Sequence, residues 1–235
     1  MEKVTRTIKN VLTHLQDENI PAAVIGEIAL NYYNVPRVVH DIEICVPGSL
    51  LSDAVSTLCL TKQYTVKEKQ EYDIFTEYKR GFPVLEATYS KMTIVIFSDA
   101  HFHLSPLEHN LVPCDGGPLT SYSREILDVV PVDEMQHFPV PCLRPYVIGL
   151  CRRYFENHDA MARIAAEQLV DGMNLDEEWI RTNLREAPLK ARELMIMLMA
   201  EKSSRMDNEF LDVITPDPVV ENGLEGLRLI PGSGY

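Results

Sequence analysis

The chain has 235 residues, 46% of them hydrophobic and 24% charged, so it can bury a sizeable core, a wholly disordered chain is excluded, and the length suits one large domain or a domain with an added lobe. Acidic residues outnumber basic ones 35 to 22, for a formal net charge of −13; such a surface repels phosphate backbones at long range and makes a nucleic-acid polymer a poor partner. No run approaches the ~20 apolar residues of a membrane span, and the start Met1-Glu2-Lys3-Val4-Thr5-Arg6 lacks a signal peptide's apolar core, so no membrane partner and a cytosolic location are expected.

In chain order, Val4, Ile8, Val11, Leu12 and Leu15 recur at helical spacing, and Asn19 and Pro21 end the pattern. Ala22-Ala23-Val24-Ile25 is a short apolar run that stops at Gly26, as a buried strand would, and a helix is predicted over 28–33, directly after the glycine. Asn34-Val35-Pro36-Arg37 breaks it. Asp41-Ile42-Glu43-Ile44-Cys45-Val46 then alternates with a period of two, which predicts a strand, and Pro47-Gly48 terminates it. Residues 50–60 read as a helix and 61–82 as polar and mixed. Strands are predicted over 83–89 and 92–97, with Ser90-Lys91 as the turn between them. Residues 98–140 are rich in proline, aspartate and glycine and read as connecting structure, with a short strand near 126–130. From Leu143 helical spacing takes over, with four helices around 143–154, 161–173, 176–184 and 189–203; Asp176 and Glu177 suit the start of the third. Residues 213–235 read as an irregular tail. The predicted organisation is an α/β domain over 1–140, a helical lobe over 141–212 and that tail.

One segment concentrates the chemistry. Gly26 sits where a strand hands over to a helix; a missing side chain there lets a ligand approach the backbone, and the following amides face outward. Asp41 and Glu43 are two apart on a strand and so share a face. Two such carboxylates can hold Mg²⁺ between a triphosphate and an attacking hydroxyl.

The stretch Ile25-Gly26, followed by Pro36-Arg37 and His40-Asp41-Ile42-Glu43-Ile44, resembles the signature of the nucleotidyltransferase superfamily, and the wider pattern is similar to uncharacterised fungal members. The resemblance covers residues 20–105 by motif and the rest by layout. It implies an α+β fold, a mixed sheet with flanking helices followed by a helical C-terminal lobe. It implies Mg²⁺ held by Asp41 and Glu43, a third carboxylate supplied by Glu86 or, as second choice, Asp99, and a substrate site that includes Gly26, Glu27 and Arg37. Two positions depart from the pattern: Glu27 stands where the family has a small residue beside the phosphates, and His40 stands where it has an apolar one.

The expected activity is Mg²⁺-dependent transfer of a nucleotidyl group from a nucleoside triphosphate to a small-molecule or protein acceptor. The alternative is a diverged cleft that serves as a binding module or runs another reaction, and Glu27 is the residue that favours it. Other features carry less. His101, His103 and His109 lack the supporting spacing of a zinc site. Met195, Met197 and Met199 alternate with Leu194, Ile196 and Leu198 as a buried helix would. Arg152 and Arg153 are candidates for phosphate contacts or for a solvated helix face. The five cysteines, Cys45, Cys59, Cys114, Cys142 and Cys151, show no CxxC spacing.

Overall fold

The computed structural model describes residues 2–68, 71–113 and 130–202. Helix α1 (Glu2–Asp17) places Ile8, Val11 and Leu15 out of water entirely, each contributing at most about 1.5–3 kcal/mol of apolar burial. After it come β1 (Ala23–Val24), α2 (Gly26–Tyr32), β2 (Ile42–Val46), α3 (Leu51–Leu60), β3 (Tyr64–Val66), β4 (Val84–Ala87) and β5 (Thr93–Ser98). These strands form one sheet in the order β1-β2-β5-β4-β3. β2 and β5 are parallel, and the other neighbours are antiparallel. A parallel pair needs a crossover, and α3, β3 and β4 lie within the stretch that makes it.

The helices that follow are α4 (Val132–Met135), α5 (Leu143–Asn157), α6 (Ala160–Gly172), α7 (Glu177–Asn183) and α8 (Leu189–Ala200). Asp159 caps α6 by accepting from the Ala162 amide, and Asp176 caps α7 by accepting from the Trp179 amide at 2.7 Å, so two orphan donors at the helix starts are satisfied. The architecture is α+β: a mixed sheet between helical layers, with a helical C-terminal region.

Two cores divide along the sheet. Ile42, Ile44 and Val46 pack with Ile94, Ile96 and Leu85 under α1 and α3. Cys45, Val95 and Phe97 face the other way, against Tyr146, Val147 and Leu150 of α5 and the α6 and α8 residues behind them. All five residues of β2 are therefore buried, Glu43 included. Helix α5 comes so near the sheet half that a Cβ on Gly149 would strike the Phe102 carbonyl, with its carbon at 3.2 Å.

The polar stretch 61–82, which carried no strand signal, contains β3. Only Tyr64 of its three residues is buried, so an edge strand this short leaves no alternation to read. Of the strand expected near 126–130, only Val130 lies within the described residues, and it falls in no strand. Cys114 and the tail 213–235 lie outside them. No helix among the described residues is long and apolar enough to cross a membrane.

Candidate functional site

Gly26 opens α2 with φ +62, a left-handed conformation that side chains resist. The space where its Cβ would stand is taken by the Glu43 carboxylate, whose Cδ would be 2.6 Å away. The glycine and the acid thus require one another: backbone strain and side-chain collision both rule out a larger residue at 26. Asp41 precedes β2 and Glu43 lies within it, and both reach the same cation.

That cation is Lys79. Its Nζ lies 2.7 Å from Asp41 Oδ2 and 3.2 Å from Glu43 Oε1. Its side chain is only 10% exposed. The neighbouring Tyr78 donates its hydroxyl to the same Glu43 oxygen. Tyr78 stacks on Phe97 with ring centroids 6.0 Å apart, and the Arg153 guanidinium lies 5.2 Å from its ring centre. Arg153 also sits over Phe102 at 4.2 Å and pairs with Asp159, so a contact chain runs from the acid pair through Tyr78 into α5 and α6. Two carboxylates share one ammonium here, and this cluster keeps a formal negative charge.

Burial raises the Glu43 pKa, against the pull of Lys79 and the Tyr78 hydrogen bond. Burial also works against the Lys79 ammonium, but Glu43 and Asp41 outweigh it and its pKa is raised. Tyr78 is pushed up by burial and then by the adjacent Glu43, so its hydroxyl stays a donor. The Tyr146 hydroxyl, from α5, lies against the Gly26 amide and near Glu43, and burial raises its pKa as well.

Glu27 is held by His40, and its charge is still felt at Glu43, whose pKa it helps burial to raise. Its Oε2 accepts from the His40 amide at 2.6 Å, and its Oε1 lies 2.7 Å from His40 Nδ1. The two residues that depart from the motif are therefore each other's partners, tying the first turn of α2 to the segment that leads into β2. Arg37 is positioned through its backbone: its amide donates to Asn31 Oδ1 at 2.7 Å, and its carbonyl accepts from Asn31 Nδ2 at 3.0 Å.

Glu86 lies across from Thr93 on β5, and the next residue, Ile94, lies across from Ile42. The row through Glu86 and Thr93 therefore runs on to Asp41, two strand spacings or about 10 Å from Glu86. Lys91 holds Glu86 at 3.2 Å, and Lys67 reaches Thr93 Oγ1 at 3.2 Å. Asp99 is buried and accepts from the Gly48 amide at 2.9 Å. Asp41, Glu43 and Gly26 are thus brought together, whereas Glu86 is two strands off and Asp99 is engaged as a turn cap. Tyr78, Lys79 and Tyr146 were not singled out in the sequence, because a polar stretch and a helix core carry no motif.

Among the described residues no group of three or more His, Cys, Asp or Glu side chains could hold a metal. Two oxygen donors converging on one cation nevertheless fit Mg²⁺, which is commonly bound by one or two carboxylates with substrate phosphates completing its shell. A groove of about 960 Å³ beside Ile180, Arg181, Arg192 and Ile196 lies on α7 and α8 and contains neither the acid pair nor the glycine turn.

No family model and no curated protein matches the chain. Among solved structures it is similar to the solution structure of the antibiotic-resistance factor ANT(2'')-Ia, at 13% identity over 88% of this chain and 97% of that one, with a TM-score of 0.42. It is similar also to the crystal structure of ANT(2")-Ia in complex with adenylyl-2"-tobramycin, at 13% identity over 84% of this chain and 98% of that one, with a TM-score of 0.42. In Ile25-Gly26 and Asp41-Ile42-Glu43, and in the strand, glycine turn, helix and strand that carry them, the chain resembles the nucleotidyltransferase superfamily.

Proposed function

We propose that this face of the sheet transfers a nucleotidyl group from a nucleoside triphosphate to a hydroxyl of a small-molecule or protein acceptor. The observation that carries it is the convergence of Asp41 and Glu43 on a single cation position, at 2.7 and 3.2 Å, beneath the Gly26 turn. Asp41 and Glu43 would hold Mg²⁺, which when bound supplies charge neutralisation at the phosphates. The acceptor oxygen attacks the α-phosphorus, the bond to the β-phosphate breaks, and pyrophosphate leaves with that bond's electron pair. Positioning and electrostatics carry most of such catalysis. Gly26 and Arg37 would border the substrate, with Glu27 at the edge held by His40. Glu86, about 10 Å from Asp41, is too far to share one ion; it would serve on the acceptor side and take the acceptor's proton once Lys91 releases it.

The charge balance of this floor supports a phosphate ligand. Lys79 meets Asp41 and Glu43, Lys67 meets Thr93 and Lys91 meets Glu86, so a triphosphate finds three ammonium groups along this floor although the whole chain carries −13.

The test is titration calorimetry with Mg²⁺ and each of the four common triphosphates, alongside transfer assays. Asp41→Asn and Glu43→Gln should each abolish transfer and leave the fold intact. Tight binding that survives loss of both carboxylates would move the site elsewhere. The second reading, a diverged cleft used as a binding module or for another reaction, is favoured by one observation: an ammonium of the protein itself stands at the cation position. A wild-type protein whose stability no triphosphate raises would decide for it; a ligand at ~100 times its dissociation constant should add about 2.7 kcal/mol.

A further inference from the structure

Lys79 is not a surface lysine resting on a nearby acid. Its side chain is nearly buried, its ammonium bridges two carboxylates from β2 and its approach, and its neighbour Tyr78 holds one of those same oxygens. The Tyr78 ring is fixed between groups of both halves of the protein, Phe97 of β5 and Arg153 of α5. Lys79 is thereby held at the place a divalent ion would take. A free divalent cation has to displace an ammonium that already satisfies both acids, and that ammonium then needs another anion, since a buried charge left unpaired is costly. Asp41 and Glu43 would be consumed by the ion, and Glu86, two strands away, is engaged by Lys91.

We propose, on the basis of the transfer reading above, that Lys79 is a built-in counter-ion that bars a free divalent cation from Asp41 and Glu43, so that the metal enters only together with a polyphosphate that draws the ammonium onto its own oxygens. Lys79, Lys67 and Lys91 meet Asp41, Thr93 and Glu86 and are the ammonium groups that anion would engage. Among the described residues Lys67 reaches the neutral Thr93 hydroxyl at 3.2 Å, and Lys91 meets Glu86 from a side chain that is 73% exposed. Lys79 is accordingly a positioning and substrate-binding residue: it offsets one of the two acid charges in the empty protein and then becomes a phosphate ligand.

The test measures Mn²⁺ retained with the full-length protein on ultrafiltration, with Mn²⁺ alone and with Mn²⁺ plus inorganic tripolyphosphate, which makes the readout independent of nucleotide base and of activity. Wild type should retain little Mn²⁺ alone and clearly more with tripolyphosphate. Lys79→Met should bind Mn²⁺ alone at least about tenfold more tightly than wild type and lose most of the tripolyphosphate effect, whereas Lys79→Arg should behave as wild type. Wild type that takes up free Mn²⁺ as readily as Lys79→Met overturns the proposal. So does a Lys79→Met protein with no gain. Should Lys79→Met fail to fold, wild type carries the test alone: an unchanged melting temperature with Mn²⁺ and a raised one with Mn²⁺ plus tripolyphosphate support the proposal, and stabilisation by Mn²⁺ alone overturns it. If Mn²⁺ uptake follows the expected pattern but no triphosphate supports transfer to any acceptor, the transfer reading falls and the role of Lys79 stands.

Discussion

Two ion clusters sit on either side of the Tyr78 ring, and they are built differently. In one, Lys79 serves both Asp41 and Glu43, and Asp41 is a quarter exposed. In the other, Arg153 serves Asp159 alone; both side chains are under a tenth exposed, and Asp159 also caps α6. The first has fewer cations than anions and a side open to water, so a metal ion that arrives with a polyphosphate can exchange with its ammonium. The second is stoichiometric and dry, and it joins α5 to α6. Similar groups thus give an exchangeable site in one place and a structural clamp in the other, and the difference lies in charge count and water access.

Breaking the clamp should have the largest effect on stability. Arg153→Met leaves Asp159 buried and unpaired and should cost about 3–5 kcal/mol, measured by urea denaturation. Lys79→Met should cost clearly less, because Asp41 can still be solvated and the buried Glu43 keeps the Tyr78 hydrogen bond; equal costs would erase the distinction between the clusters. Next in size is Gly26→Ala. It places a Cβ against the Glu43 carboxylate at a positive φ and should cost about 1–3 kcal/mol. In Gly26→Ala combined with Glu43→Ala the collision is gone, so the two changes should be far from additive in a double-mutant cycle; simple additivity would mean that Glu43 does not lean on Gly26.

A pH titration separates the clusters further. His101 lies beside the clamp, facing Arg153, Asp159 and His103, and burial followed by the Arg153 charge lowers its pKa from 6.5 to about 4. The folded state therefore binds fewer protons than the unfolded chain, and His101 contributes stability above pH 6.5 that is lost as pH falls through about 4. His103 is lowered too, by burial first. His101→Gln should flatten the acid limb of the stability curve in part, and an unchanged limb would remove His101 from the account. The smallest effect belongs to Glu27→Ser. Its pair with His40 is largely exposed on the histidine side, so stability should change by less than about 1 kcal/mol. Triphosphate binding should stay the same or strengthen, read by calorimetry.

The short-range layout was legible because it follows from periodicity. The alternation Ile42, Ile44, Val46 predicted β2, the apolar run ending at Gly26 predicted the strand-to-helix junction, and Leu143 onward predicted the helices. β3 was missed because three residues at a sheet edge, two of them exposed, have no period to show. Glu43 alternates with Ile42 and Ile44 as an outward face would, yet it is buried, because α5 and the helices behind it cover that side.

By itself the sequence determined which local elements form, that Gly26 opens a helix, and that Asp41 and Glu43 share a face, since each of these depends on neighbours within a few residues. Only the tertiary structure decided what answers the acids. Lys79 lies beyond β3 in a polar stretch without pattern, Tyr146 comes from α5, more than a hundred residues on from Gly26, and Glu27 finds His40 across α2. The physical reason is that an ion pair requires proximity in space and opposite charge, and neither leaves a repeat along the chain; the packing of β2, β5 and α5 brings these side chains together and thereby sets which cation the acid pair holds.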